Sequence, residues 1–183
     1  QVASIKRAEG GVRLVARTVE GEQTVTASHL LVATGRVPNT EVLDLRAAGL
    51  QTDSRGYIPV NDRLETQMEG IYALGDVNGG PAFTHVSYDD YRVVRANLLG
   101  KGGGTTRDRL LCYAVFTDPE LGRAGLTERE ARERGLDIKV FTLPMASVPR
   151  AIETAETRGL MKAVVDAKSD RILGCAVLGI QGA

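Results

Sequence analysis

Apolar and polar residues alternate near the start of the chain, with Val12, Leu14 and Ala16 set against Arg13 and Arg17 and Val15 out of step. Gly21-Glu22 then turns the chain into Thr24-Val25-Thr26, and this pattern predicts an antiparallel ribbon with one solvated face. The run His29-Leu30-Leu31-Val32-Ala33 has no alternation and predicts a strand covered on both faces. Gly and Pro in Thr34-Gly35-Arg36-Val37-Pro38-Asn39 enforce a loop after it. Leu43 to Ala48 can form a short helix stopped by Gly49, and Gly56 to Val60 an extended piece that Pro59 assigns to a sheet edge. A second buried strand is expected at Gly70-Ile71-Tyr72-Ala73-Leu74, ending at Gly75-Asp76. Val86, Val93, Val94 and Leu98 then form the apolar stripe of a helix from about Thr84 to Leu99, with Gly100 at its stop.

The glycine-rich stretch 101–106 has no apolar content and reads as a flexible linker, so the domain boundary is placed there. Beyond it come Tyr113 to Phe116 and a helix from Glu128 to Arg134, opened by the capping-box pair Thr127 and Glu130 and closed by Gly135. Strands are expected at Ile138 to Leu143, Gly159 to Asp166 and Arg171 to Gly179, the last two joined as a hairpin by Ala167-Lys168-Ser169-Asp170. The second half is thus α+β and largely antiparallel. It stops directly after a strand, which is expected to need further cover and to serve as an associating edge. The chain also begins without Met, and both ends read as those of a fragment.

Composition narrows the function classes. The 183 residues are 43% hydrophobic and 25% charged, as in a globular protein with a real core. Lys plus Arg and Asp plus Glu each number 23, so the chain lacks the basic footprint of a nucleic-acid binder. No apolar run approaches the ~20 residues that span a bilayer, and the first ten residues carry no signal peptide. Cys112 and Cys175 have neither redox nor zinc spacing, and lying in apolar runs they are expected to be buried structural thiols.

The candidate chemistry sits at two strand ends, Ala33-Thr34-Gly35-Arg36 and Tyr72-Ala73-Leu74-Gly75-Asp76. Ligands gather at the carboxyl ends of parallel strands. A glycine there lets backbone approach the ligand, and a carboxylate after it can accept hydrogen bonds from sugar or ribityl hydroxyls. Alone, Gly75-Asp76 would read as an ordinary turn.

The longer string Thr66 to Asp76 resembles the second FAD motif of the pyridine nucleotide-disulfide oxidoreductases, and Ala33 to Asn39 resembles the motif closing that family's NAD(P) domain. Val115-Phe116-Thr117-Asp118-Pro119-Glu120 and Gly125-Leu126-Thr127-Glu128 resemble the start of its dimerisation domain. The four matches occur in the family's order. The loop Gly75 to Pro81 with Phe83-Thr84-His85 and Ser87 to Arg92 is most similar to the mercuric-reductase-like and reactive-chlorine-resistance branch.

The resemblance implies a fold of α/β plus α+β, the end of an FAD/NAD(P) domain pair followed by a truncated antiparallel-sheet dimerisation domain. Residues 1–45 would end the NAD(P)-binding domain, 46–100 return to the FAD domain, 101–108 link, and 109–183 form the incomplete dimerisation domain. The implied cofactors are FAD and NAD(P)H. Gly75 and Asp76 would hold the ribityl chain, and Phe83, Thr84 and His85 would approach the flavin pyrimidine edge through backbone. There a helix start would favour negative charge, and His85 would have no acid–base task. Gly35 and Arg36 would line the nicotinamide approach. Electrons would pass from nicotinamide through flavin and a disulfide to a metal ion or another oxidant, in a cytoplasmic homodimer that binds neither nucleic acid nor membrane. The redox Cys pair and the acid–base His of the family do not occur, so no catalytic residue and no metal site is expected, and the fragment alone should be inactive. Asp89 and Asp90 are expected to be solvated. The alternatives are a dihydrolipoamide-dehydrogenase-type reductase and a non-catalytic dimerisation module.

Overall fold

A computed structural model describes residues 1–100 and 102–183, so Lys101, where the expected linker begins, lies outside the described residues. The chain divides into two compact units, 1–37 and 38–183.

The first unit is a three-stranded antiparallel sheet in the order β1 (Val2–Ala8), β2 (Gly11–Thr18), β3 (Gly21–Ala27). The ribbon expected from the alternating pattern is β2 and β3, with Leu14 facing Val25. β1 adds a strand that the pattern did not indicate, and Ile5 extends the same cross-strand row. The expected strand over residues 29–33 does not form. Leu31 is 88% and Val32 71% exposed, because a strand requires hydrogen-bonded neighbours and no described segment pairs with this one.

In the second unit the segment before the long helix is mostly loop with buried anchors. The expected helix over Leu43 to Ala48 shrinks to a 3₁₀ turn, Glu41–Leu43, ended by Asp44 in the left-handed conformation (φ 43°). Neither Gly56 to Val60 nor Gly70 to Leu74 is a strand. The latter makes one bridge, Glu65 with Tyr72, though Ala73 is buried as the apolar run required. Ile58 is buried and donates its N–H to the Val77 carbonyl. Leu64, Val93 and Val94 form a core cluster with Val60, Tyr72 and Leu74 against it.

Helix α1 (Thr84–Leu99) has the expected bounds. Its buried face is Val86, Asp90, Val93 and Val94, while Leu98 lies outside it, 57% exposed. The stretch after the helix is tied down rather than loose. The Asn97 amide and the Gly104 backbone exchange two hydrogen bonds, and Thr106 and Arg107 both bond Asp62.

Five antiparallel strands follow: β4 (Cys112–Val115), β5 (Glu120–Gly125), β6 (Ile138–Pro144), β7 (Leu160–Asp166) and β8 (Ile172–Gly179). Their order in the sheet is β4-β5-β8-β7-β6. β8 is therefore the central strand and not the associating edge expected from its place in the sequence. Both of its sides are occupied, and the edges are β4 and β6. The seam between β5 and β8 is glycine-rich, with Gly125 facing Gly174 and Glu120 facing Gly179. Buried Met145 lies against Gly179, where any β-carbon would stand within 3 Å of its side chain. Helix α2 (Glu128–Glu133) has the expected capping box and packs over the sheet face carrying Arg123 and Lys162, through the ion pairs Glu130–Arg123 and Glu128–Lys162. A short helix α3 (Pro149–Glu153) connects β6 to β7.

Candidate functional site

The expected cofactor residues of the second unit converge on one short piece of chain. Gly75 and Asp76 open a 3₁₀ turn, Gly75–Asn78, that lies against the first half of α1. Gly75 has φ +72°, and a β-carbon on it would come 2.9 Å from Ser87 Oγ, so glycine meets both the backbone and the packing demand. The residue that follows, Asp76, is exposed.

The turn is held from behind by Asp90, which is 1% exposed. Its Oδ2 accepts from the Gly75 N–H (2.8 Å) and from Asn78 Nδ2 (3.1 Å), and its Oδ1 accepts from Arg109 Nη2. Arg109 Nε also donates to Asp89 Oδ2 at 2.7 Å. The expectation that both aspartates are solvated is therefore corrected. Asp90 stands four residues after Val86 and three before Val93, inside the apolar stripe, where a carboxylate survives only with partners. That spacing is the sequence signal that could have found it, whereas the bond to Arg109 has no local signature.

The floor of the turn is also fixed. Asn78 Oδ1 accepts from the Gly80 N–H, and Tyr57 packs so closely on Gly79 that a β-carbon there would lie 3.1 Å from its ring. Tyr57 and Arg55 in turn donate N–H groups to Asp53, and the Tyr57 bond above all holds that carboxyl below its ordinary value.

Phe83, Thr84 and His85 form the start of α1. Phe83 is the N-cap and provides no capping side chain, so the first N–H groups of a 16-residue helix lack an acceptor within the helix. Their partial positive charge suits an acidic or carbonyl-bearing group. The Phe83 ring stacks on His85 (5.4 Å) and on Tyr113 of β4 (5.0 Å), and the Arg123 guanidinium lies over the Tyr113 ring at 5.2 Å. Tyr113 and Arg123 had no place among the sequence candidates. These residues border a cleft of about 680 Å³ that Cys112 and Cys175 also line. Both thiols are exposed, which overturns the expectation of buried ones. They occupy one face because both pair with Ala124, and the adjacent packing helix lies on the other. Among the described residues no three His, Cys, Asp or Glu side chains converge to hold a metal ion, and no helix is long and apolar enough to cross a membrane.

Gly35 and Arg36 belong to the first unit, in the exposed segment after β3, with Gly35 at φ +109°.

The residues of the second unit fit the polar tail and one edge of a flavin. An exposed carboxylate on a rigid glycine turn can accept from ribityl hydroxyls, and an uncapped helix start can donate to the ring's oxygen-bearing edge.

Comparison with known proteins identifies the family. Residues 1–90 match the pyridine nucleotide-disulphide oxidoreductase model and residues 112–183 match the dimerisation domain of the same family. The chain is 50% identical over 150 residues to the probable pyridine nucleotide-disulfide oxidoreductase RclA of Escherichia coli, covering 81% of this chain and 34% of that protein. It is 42% identical over 180 residues to a mercuric reductase of Lysinibacillus sphaericus, covering 96% of this chain and 33% of that protein. Among solved structures, the Cu(II) complex of the HOCl-induced flavoprotein disulfide reductase RclA from E. coli matches with a TM-score of 0.86 at 43% identity, over 98% of this chain and 41% of that one. The chain thus spans about a third of the length of these curated relatives.

Proposed function

Because this chain belongs to the pyridine nucleotide-disulphide oxidoreductases, we propose that it is part of a longer FAD- and NAD(P)H-dependent reductase, and that its Gly75–Asp76 turn holds the flavin's ribityl chain. The observation that carries this reading is the turn itself. It presents an exposed carboxylate on backbone locked against α1, next to a helix start that its own sequence leaves uncapped.

In this reading Asp76 accepts from ribityl hydroxyls, while the N–H groups of Thr84 and His85 face the pyrimidine edge and favour negative charge there. Phe83, His85 and Tyr113 stack into a rigid block that keeps the helix start in place. Gly35 and Arg36 line the nicotinamide approach. When bound, the flavin relays reducing equivalents from the nicotinamide toward a disulfide and a final oxidant. Likeness to RclA and mercuric reductase supports a metal ion or another small oxidant as that acceptor. Residues 1–45 and 46–100 belong to the two nucleotide-binding domains, 101–108 join them to 109–183, and that last part forms a homodimer, supported by the dimerisation-domain match. The chain supplies no catalytic thiol pair and has no reductase activity by itself.

The test is flavin reconstitution of the longer polypeptide. Asp76→Ala is expected to raise the flavin dissociation constant by about tenfold or more, the worth of one strong hydrogen bond to a charged group. Unchanged affinity would refute the ribityl assignment. Light scattering across a concentration series tests the dimer.

A further inference from the structure

We propose that Asp90, braced by Arg109, is a positioning residue that aims Asp76. This rests on the reading of the Gly75–Asp76 turn as the ribityl site. Asp90 is 1% exposed and so does not itself meet a cofactor. Its Oδ2 grips the backbone immediately before Asp76, at the Gly75 N–H, and the side chain two residues after it, at Asn78. Asn78 also donates to the Ala73 carbonyl at 3.3 Å, so one carboxylate and one amide fasten the chain on both sides of Asp76.

A carboxylate in the apolar stripe between Val86 and Val93 is an expensive way to fill space. An apolar residue of similar volume packs there with no desolvation cost, and buried ion pairs are seldom the most stabilising choice. What a carboxylate provides and a leucine cannot is directed acceptance of two N–H donors from one turn. Arg109 makes this possible by supplying the opposite charge, with a side chain only 15% exposed. Arg109 arrives from beyond the tied-down stretch that includes Thr106 and Arg107, just ahead of β4. The direction of Asp76 is therefore set jointly by α1 and by the entry to the five-stranded sheet.

The experiment uses the flavin-loaded full-length reductase. Asp90→Asn preserves size but turns an amide donor toward Arg109 or toward the turn. It is expected to raise the flavin dissociation constant about tenfold and to change the visible circular dichroism of the bound flavin in the same sense as Asp76→Ala. Because Asp90 acts through Asp76, the double variant should bind no more weakly than Asp76→Ala alone. Asp89→Asn, which touches Arg109 but not the turn, should stay within about twofold of the parent. Should Asp90→Asn fail to fold, Arg109→Lys keeps the charge and loses the fork, and is expected to show the same spectral change with a smaller loss of affinity. Parental affinity and spectrum in Asp90→Asn, or in Arg109→Lys where that stands in, would overturn the proposal while Asp76→Ala still weakened binding. So would a double variant that loses the full product of both factors. If Asp76→Ala itself has no effect, the ribityl reading fails first and this proposal falls with it.

Discussion

Residues 30–33 (Leu-Leu-Val-Ala) and residues 172–178 (Ile-Leu-Gly-Cys-Ala-Val-Leu) are both unbroken apolar runs, yet the first is exposed coil and the second lies in the central strand of a sheet. Hydrophobicity does not separate them, since Leu31 and Val32 are as apolar as anything in β8. The difference lies in partners. β8 finds β5 on one side and β7 on the other, and Gly174 to Leu178 have partners on both. No described segment does this for residues 30–33, and β structure without a neighbour has no hydrogen bonds to offset the entropy of extension. An apolar run thus states a demand for cover and leaves open which part of the protein meets it.

Three substitutions or conditions can break or sharpen that contrast, all read by chemical denaturation of this chain. The largest effect is expected for Val164→Asp. Val164 is 3% exposed on β7, between Val140 and Gly174, and a charge there should cost at least about 3 kcal/mol. A loss under 1 kcal/mol would mean that the five-stranded sheet is not the stable part of the molecule. Next is Thr127→Ala at the α2 capping box, with an expected loss of about 1 kcal/mol. The Thr127 N–H, and then its hydroxyl, hold the Glu130 carboxyl below its ordinary value. A depressed folded-state value means that this contribution is present above the ordinary glutamate range and disappears as pH falls through the folded value. Alanine keeps the N–H and loses the hydroxyl, so the hydroxyl's share of the Thr127→Ala effect should shrink in acid, and an effect that grows in acid would contradict the cap geometry. The smallest effect belongs to Leu31→Ser, expected within about 0.5 kcal/mol in this chain. In the longer polypeptide proposed above, with a neighbouring strand supplied, the same change should cost several-fold more. Equal costs in both settings would show that the run has no covering partner.

Local signals serve the two longer helices best. α1 has the bounds that its apolar spacing and Gly100 dictate, and Thr127 with Glu130 marks the start of α2 as a capping box should. The β7–β8 hairpin was equally plain, because its turn, with Asp170 at φ 56°, is local too. The apolar runs at residues 29–33 and 70–74 do not become strands because pairing is not a property of the segment. The cysteines are exposed for a related reason, since an apolar strand has two faces and α2 lies over only the other one. At the candidate site, Gly75, Asp76 and the start of α1 were legible from motif and spacing. Asp90 reads in the sequence as half of a solvated pair with its neighbour Asp89. Its deciding partners, Gly75 and Arg109, lie 15 and 19 positions away.

The glycine seam of the five-stranded sheet has a consequence for how the sheet comes together. β7 and β8 meet across a tight hairpin, and β4 and β5 are likewise close in sequence, so each pair can form early by small loop closures. Joining them requires β5 to find β8 across the whole of the intervening chain, with Leu121 against Leu178 the one pair of large apolar side chains at the contact. The slow step in assembly is expected at that ladder, the pairing of greatest sequence separation in the sheet.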